Sequence, residues 1–151
     1  MKQALREAKL AYEEDEVPVG AVVVHKGAII GRGHNQIERL QDPTAHAEMI
    51  ALTAACAHLE SRRLEGCTMY VTLEPCPMCA GAIVLSRIPT LVFASFDPKA
   101  GACGTLYSIT HDKRLNHTVN VISGVGDRES EELLKALFGK VRKLVVRRRK
   151  R

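Results

Sequence analysis

A chain of 151 residues, 46% hydrophobic and 26% charged, is long enough for one well-packed domain and short for two. No apolar run approaches the ~20 residues of a membrane span, and the first seven residues lack the apolar core of a signal peptide, so a cytoplasmic protein without membrane association is expected. The net charge of +5 is terminal: residues 140–151 carry eight Lys or Arg and no acid, leaving 14 bases against 17 acids in residues 1–139. Such a basic end at about 140–151 suits a polyanion such as nucleic acid, and equally a solvated, frayed helix tip. Five cysteines, an odd number without the rhythm of a disulfide framework, favour metal ligands plus free buried thiols in a reducing compartment.

From Gln3 to Tyr12, Ala4, Leu5, Ala8 and Ala11 recur at helical spacing and predict a short amphipathic helix. Val17 to Gly20 is an extended approach to a strand over Ala21 to His25, and Lys26-Gly27 turns the chain into a second strand over Ala28 to Gly33. Gly31 and Gly33 are not followed by a third glycine or a helix start, which rules out a dinucleotide fingerprint and marks close backbone approach instead. Asn35 falls at the end of this strand. Asp42-Pro43-Thr44 reads as a helix entry, with Asp42 as N-cap and Pro43 at the first helical position of a small-residue helix over Ala45 to Leu59.

Thr68 to Leu73 predicts a strand, Cys76 to Ser86 a helix and Thr90 to Ala94 a further strand. A small-residue loop, Ala100 to Gly104, leads to a short irregular or helical piece ending at His111. Asn120 to Ile122 is the expected last strand. Asp127 to about Val146 is the last helix, with Leu133, Leu134, Leu137 and Phe138 on its apolar face. Strands alternating with helices after an opening hairpin predict a single α/β domain over residues 1–151: a three-layer α/β/α sandwich with a mixed five-stranded sheet.

The chemistry centres on the stretch from Thr72 to Ala82. Cys76 and Cys79 lie three positions apart on one face of a helix's first turn, where the helix dipole favours the thiolate form that ligates metal. Two thiolates do not complete a tetrahedral site, and no second Cys-x-x-Cys exists. His46, at the other predicted helix start, is the missing ligand by this reading. One His and two Cys leave a position for water, whose pKa zinc lowers towards ~7. Glu48 lies two residues beyond and is placed to act as general acid and base. Alone, Cys-x-x-Cys also fits a structural clip or a redox pair, and His-x-Glu means little; it is their joint position at two helix starts that favours catalysis. Cys56, Cys67 and Cys103 are expected to be packed thiols. His25, His34, His58, His111 and His117 are expected on the surface or in hydrogen bonds, with His117 able to line a cleft, and Met49 and Met78 are expected in the core.

His46-Ala47-Glu48 with Pro75-Cys76-Pro77-Met78-Cys79 resembles the H-x-E and P-C-x-x-C signature of zinc nucleobase deaminases. Glu16 to Val24, Asp42 to Glu48, Tyr70 to Cys76 and Leu115-Asn116-His117 are similar to the bacterial tRNA-specific adenosine deaminases, and the similarity covers nearly the whole chain. The resemblance implies a cytidine deaminase-like fold, one Zn2+ per subunit and a homodimer. It also implies hydrolytic deamination of the wobble adenosine of a tRNA anticodon stem-loop to inosine. By position, His46, Cys76 and Cys79 would hold zinc. Glu48 would move protons to adenine N1 and to the departing ammonia while activated water attacks C6. Asn35 would hydrogen-bond the flipped base, Val19 and Ala47 would pack near it, and Asp97 would touch a neighbouring nucleotide. Phe138 and the basic C-terminal helix would lie along the RNA. The alternatives are a free guanine or cytosine (nucleobase or nucleoside) deaminase and a non-catalytic, zinc-stabilised RNA-binding module.

Overall fold

The computed structural model describes residues 1–149; the last two basic residues of the expected tail, Lys150 and Arg151, lie outside the described residues. The chain runs α1 (Lys2–Glu13), β1 (Gly20–His25), β2 (Ala28–His34), α2 (Ile37–Leu40), α3 (Ala47–Leu59), β3 (Cys67–Leu73), α4 (Pro77–Leu85), β4 (Thr90–Ser95), a 3-10 turn (Ile109–His111), β5 (Asn120–Ser123) and α5 (Asp127–Arg149). The five strands form one sheet in the order β2-β1-β3-β4-β5. β1 pairs antiparallel with both β2 and β3, whereas β3, β4 and β5 run parallel. The sheet is therefore mixed, as the alternation of elements predicts.

Local chemistry accounts for the hairpin. The Val-Val-Val run of β1 favours extended backbone, and Lys26 and Gly27 both adopt positive φ, 49° and 77°, as a two-residue type I′ turn requires. Helices cover both faces of the sheet. α1 packs on β1, β2 and β3, touches α5, and α5 packs on β3 and β4; α3 packs on β1 and β2 and meets α4. The two layers come close because strand glycines admit them. A Cβ on Gly20 would sit 2.1 Å from the Ala4 carbonyl oxygen of α1, and one on Gly33 would sit 2.3 Å from the Ala47 carbonyl oxygen of α3. The main apolar core lies between the sheet and α3 with α4, built from Ala21, Val23, Met69, Val71, Leu91 and Phe93 against Ala51, Ala55, Ala80 and Ile83. α3 and α4 are apolar around most of their circumference, which suits helices buried on more than one side.

Three expectations need correction. Asp42 is not the N-cap of the small-residue helix: its Oδ1 accepts from the Thr44 N–H at 2.8 Å and the Thr44 hydroxyl at 2.7 Å, closing a local turn. The helix starts at Ala47, after His46 as N-cap, and the short α2 precedes it. Met49 and Met78 are half-buried, since the outer surfaces of α3 and α4 lack covering elements among the described residues. Finally, α5 runs past Val146 to Arg149, and residues 141–149 are exposed throughout. Among the described residues no helix is long and apolar enough to cross a membrane.

Because Gly33 faces the backbone of α3, Gly33→Ala forces that helix to move. Overpacking of this kind costs about 1–3 kcal/mol, so a thermal or urea melt of the variant is expected to show a lowered midpoint. An unchanged midpoint would show that α3 yields freely.

Candidate active site and metal centre

Two helix N-termini meet at one end of the sheet. Strand β3 ends at Leu73, and Glu74-Pro75-Cys76 then leads into α4, with Cys76 in extended conformation as N-cap (φ −72°, ψ 173°) and Pro77 in the first turn, where its missing N–H is harmless. Cys79 follows in the same turn. On the neighbouring layer His46 is the N-cap of α3, also extended (φ −77°, ψ 150°), and Glu48 lies in that helix's first turn. Neither N-cap side chain caps its own helix. For α3 the cap comes from a distance: Asn35 Oδ1, at the end of β2, accepts the Ala47 N–H at 2.9 Å. That leaves the His46 ring free to point at the cysteines.

His46 Nδ1 lies 3.6 Å from Cys76 Sγ and 3.6 Å from Cys79 Sγ. Among the described residues, these three donor atoms form a group in which all lie within 4.8 Å of one another. A tetrahedral zinc ion about 2.3 Å from sulfur and about 2.0–2.1 Å from nitrogen separates an S and an N ligand by about 3.6 Å. The donor set and its spacing therefore fit zinc. Three protein donors are also one short of a closed tetrahedral shell, the arrangement that distinguishes catalytic from structural sites.

The electrostatics favour the thiolate at one of the two sulfurs, Cys76. The Cys76 thiol is lowered to about 4, first because the Cys79 thiol hydrogen-bonds to its sulfur, with His46 and a backbone N–H adding to the effect. The Cys79 thiol is pushed well above the ordinary thiol range, first by its hydrogen bond to Cys76 and then by burial and the nearby Glu48 carboxyl. His46 is raised, first by its hydrogen bond to Cys76, with the Glu48 carboxylate contributing. Glu48 is 3% exposed, and burial pushes its carboxyl up to about 7. Away from this group, burial raises Cys56 and Cys67 and pushes Cys103 up to about 12, as expected for packed, unreactive thiols.

A cavity of about 210 Å³ opens onto His46, Glu48 and Cys76. Val19, Asn35 and Asp97 line it. Ala47 does not: its side chain is fully buried in the core, and its contribution here is the backbone N–H that Asn35 accepts. Phe138 lies outside the cavity as well. It borders an adjoining hollow of about 290 Å³, which shares Val17, Leu73 and Asp97 with the first and adds Phe96, Pro98 and Lys99. Phe138 is 56% exposed there, with the Lys99 Nζ 5.9 Å from its ring centroid. The Asp97 Oδ1 accepts from the Lys99 and Ala100 N–H groups at 2.9 and 3.3 Å, so this carboxylate also shapes the turn that carries it. His117 donates to or accepts no group in the cavity; its Nε2 lies 2.6 Å from the Ile88 carbonyl oxygen. Sequence reasoning passed over Val17, Ile37, Leu73, Glu74 and Ala100 as lining residues. For Glu74 a signal existed, its place in the motif immediately before Pro75-Cys76.

A mixed-sheet sandwich that brings a His-x-Glu helix start against a Cys-x-x-Cys helix start defines a deaminase, and the family model of MafB19-like deaminases matches residues 1–142. A tRNA-specific adenosine deaminase of Bacillus subtilis (strain 168) is 53% identical over 143 residues, 95% of this chain and 89% of the relative. A solved structure described in work on A-to-I editing by tRNA:A34 deaminases at the wobble position superposes with a TM-score of 0.85 at 45% identity, covering 89% of this chain and 97% of the other. A guanine deaminase structure from Bacillus subtilis matches less fully, with a TM-score of 0.63 at 39% identity over 69% of this chain and 67% of the other. The chain belongs to the tRNA-specific adenosine deaminase family.

The Asn35 contact separates two roles that substitution can resolve. Asn35→Ala leaves the buried Ala47 N–H unpaired, at a cost of about 1–3 kcal/mol, and is expected to lower the melting temperature. Asn35→Asp keeps the acceptor and is expected to melt close to wild type. Equal melting of all three proteins would show that the capping bond contributes nothing.

Proposed function

We propose that this chain is a zinc-dependent hydrolase that converts the wobble adenosine, position 34, of a tRNA anticodon to inosine; the support from relatives is a 53% identical protein named tRNA-specific adenosine deaminase and a similar solved structure described in work on A-to-I editing at the wobble position. The observation that carries the reading is the three-donor group at 3.6 Å spacing beside a buried carboxyl that is not itself one of the donors. A structural clip has no use for Glu48. The residues His46, Cys76 and Cys79 would hold one zinc ion per subunit. When bound there, zinc supplies Lewis-acid activation of water at neutral pH.

The remaining work falls to side chains and backbone. Glu48, buried and facing the cavity, takes one proton from the attacking water and delivers it to adenine N1, then takes the remaining proton from the new C6 hydroxyl and delivers it to the C6 amine, which leaves as ammonia. Water is consumed, ammonia is released and the base becomes hypoxanthine, so the proton count closes on Glu48. Asn35 spends its Oδ1 on Ala47, which leaves the amide NH2 group as the donor that orients the flipped base. Val19 forms an apolar wall beside it. Asp97, between the cavity and the adjoining hollow, and Phe138 within that hollow lie where a flanking nucleotide of a splayed anticodon loop would pass. RNA readers commonly stack such bases on aromatic rings. The exposed basic turns of α5 beyond Lys140 supply positive charge for the phosphate backbone.

A homodimer in the cytoplasm completes the reading. Its support is the outer surface of α3, where Met49, Ile50, Ala54 and Ala57, with Leu40 from α2, border an open apolar depression of about 470 Å³, and the exposed Leu85 on α4. Sedimentation is expected to give twice the 16.6 kDa of the chain. A monomer at micromolar concentration would remove the dimer from the account.

The decisive assay is ammonia release and inosine formation on an anticodon stem-loop compared with free guanine, cytosine and adenosine. Conversion of the stem-loop with little activity on free bases is expected, since binding energy from the RNA positions the reacting base. Turnover of guanine alone would transfer the chain to the second reading. Glu48→Gln is expected to lower turnover by about 10²–10⁴-fold while zinc content and melting stay near wild type. Cys79→Ser is expected to lower zinc occupancy as measured by elemental analysis. An RNA-binding module would release no ammonia and be indifferent to the change at Glu48.

A further inference from the structure

Two buried carboxyls border the cavity, and their surroundings differ. Glu48 faces the three metal-fitting donors, whereas Glu74, 1% exposed, is saturated by a loop. The Glu74 Oε2 accepts from the backbone N–H groups of Cys103 at 3.2 Å and Thr105 at 3.3 Å, and its Oε1 accepts from the Thr105 hydroxyl. Gly101 packs directly on the carboxylate, where a Cβ would come within 2.1 Å of Oε2. The same loop is tied at two further points: the Gly101 N–H donates to the Asp97 carbonyl at 2.9 Å, and the Ala102 N–H donates to the Pro75 carbonyl at 2.9 Å. Its leading residues, Asp97 and Ala100, form part of the cavity wall.

We propose that Glu74 is a positioning residue for the deamination: by gathering the donors of Cys103 and Thr105 it fixes the 97–105 loop against the start of the cysteine-bearing helix, and so sets the wall against which the substrate base lies. The inference rests on the functional reading above. A carboxylate is required because three donors converge on it and a carboxylate offers only acceptors. A glutamine of the same shape turns an NH2 group towards other donors. The loop then has to move, and the wall moves with it, while His46, Glu48, Cys76 and Cys79 keep their own supports.

A displaced wall weakens substrate binding without touching the reacting groups, so the kinetic signature is a rise in KM at nearly constant kcat. A purely structural defect behaves differently: it lowers the fraction of active enzyme and therefore apparent kcat, leaving KM unchanged. The test uses the zinc-loaded protein and an anticodon stem-loop. Glu74→Gln and Thr105→Val are each expected to raise KM about tenfold, with kcat changed less than about threefold, and Thr105→Ser, which keeps the hydroxyl, is expected to stay near wild type. The double variant is expected to match the worse single one, because both substitutions break the same contact. In a Glu48→Gln background, where substrate is not consumed, adding Glu74→Gln is expected to weaken stem-loop binding by the same factor. Loss of kcat at constant KM, full additivity, or a loss of zinc parallel to the loss of activity would each overturn the proposal. An active wild type whose variants are unshifted defeats this inference alone. A wild type inert towards the stem-loop defeats the functional reading and this inference with it.

Discussion

The structure depends on the meeting of two helix N-termini at the end of a sheet. α3 presents His46 and α4 presents Cys76 and Cys79, and because each helix exposes its positive end there, the Cys76 thiolate is favoured, while burial holds the Glu48 carboxyl up near neutral pH. The meeting is possible only if the helices lie close to the strands and to each other. Gly31 and Gly33 in β2 and the alanines of α3 provide that closeness, since a side chain at either glycine would strike the helix backbone. Small residues far from the chemistry thus determine whether a nitrogen and two sulfurs can stand 3.6 Å apart.

Much of this was legible in the sequence, and the legible part was local. The valine run of β1, the Lys26-Gly27 turn, the prolines around Cys76 and the helical spacing of α1 each act within a few residues, so most elements could be read with ends displaced by a residue or two, the short α2 and the far end of α5 excepted. The paired motifs named the metal-fitting residues because ligand chemistry admits few residue types.

What stayed hidden depends on partners distant in sequence. Asp42-Pro43 has the form of a helix entry, but its carboxylate is consumed by Thr44 two residues on, and the true start is fixed by Asn35, 12 residues earlier, which accepts the Ala47 N–H. No rule of local propensity contains that contact. The sequence groups Phe138 with Leu133, Leu134 and Leu137 on the apolar face of the last helix, and Leu137 is indeed buried; yet Phe138 is exposed, because it borders the open hollow beside Phe96, Pro98 and Lys99. The motif flags Glu74 by position but not its partners, because two of its three donors are backbone N–H groups of a loop about 30 residues away, and backbone groups carry no signature in composition.

The hairpin turn at Lys26-Gly27 lies at the opposite end of β1 from Val19, which borders the cavity. Six residues of extended strand place it roughly 20 Å from the reacting groups. Nothing lies within 4 Å of where a side chain at Gly27 would begin. That tip is thus the position at which a fluorophore, an affinity handle or a fused second protein can be attached so that RNA approach, base entry and the packing of both helical layers proceed undisturbed.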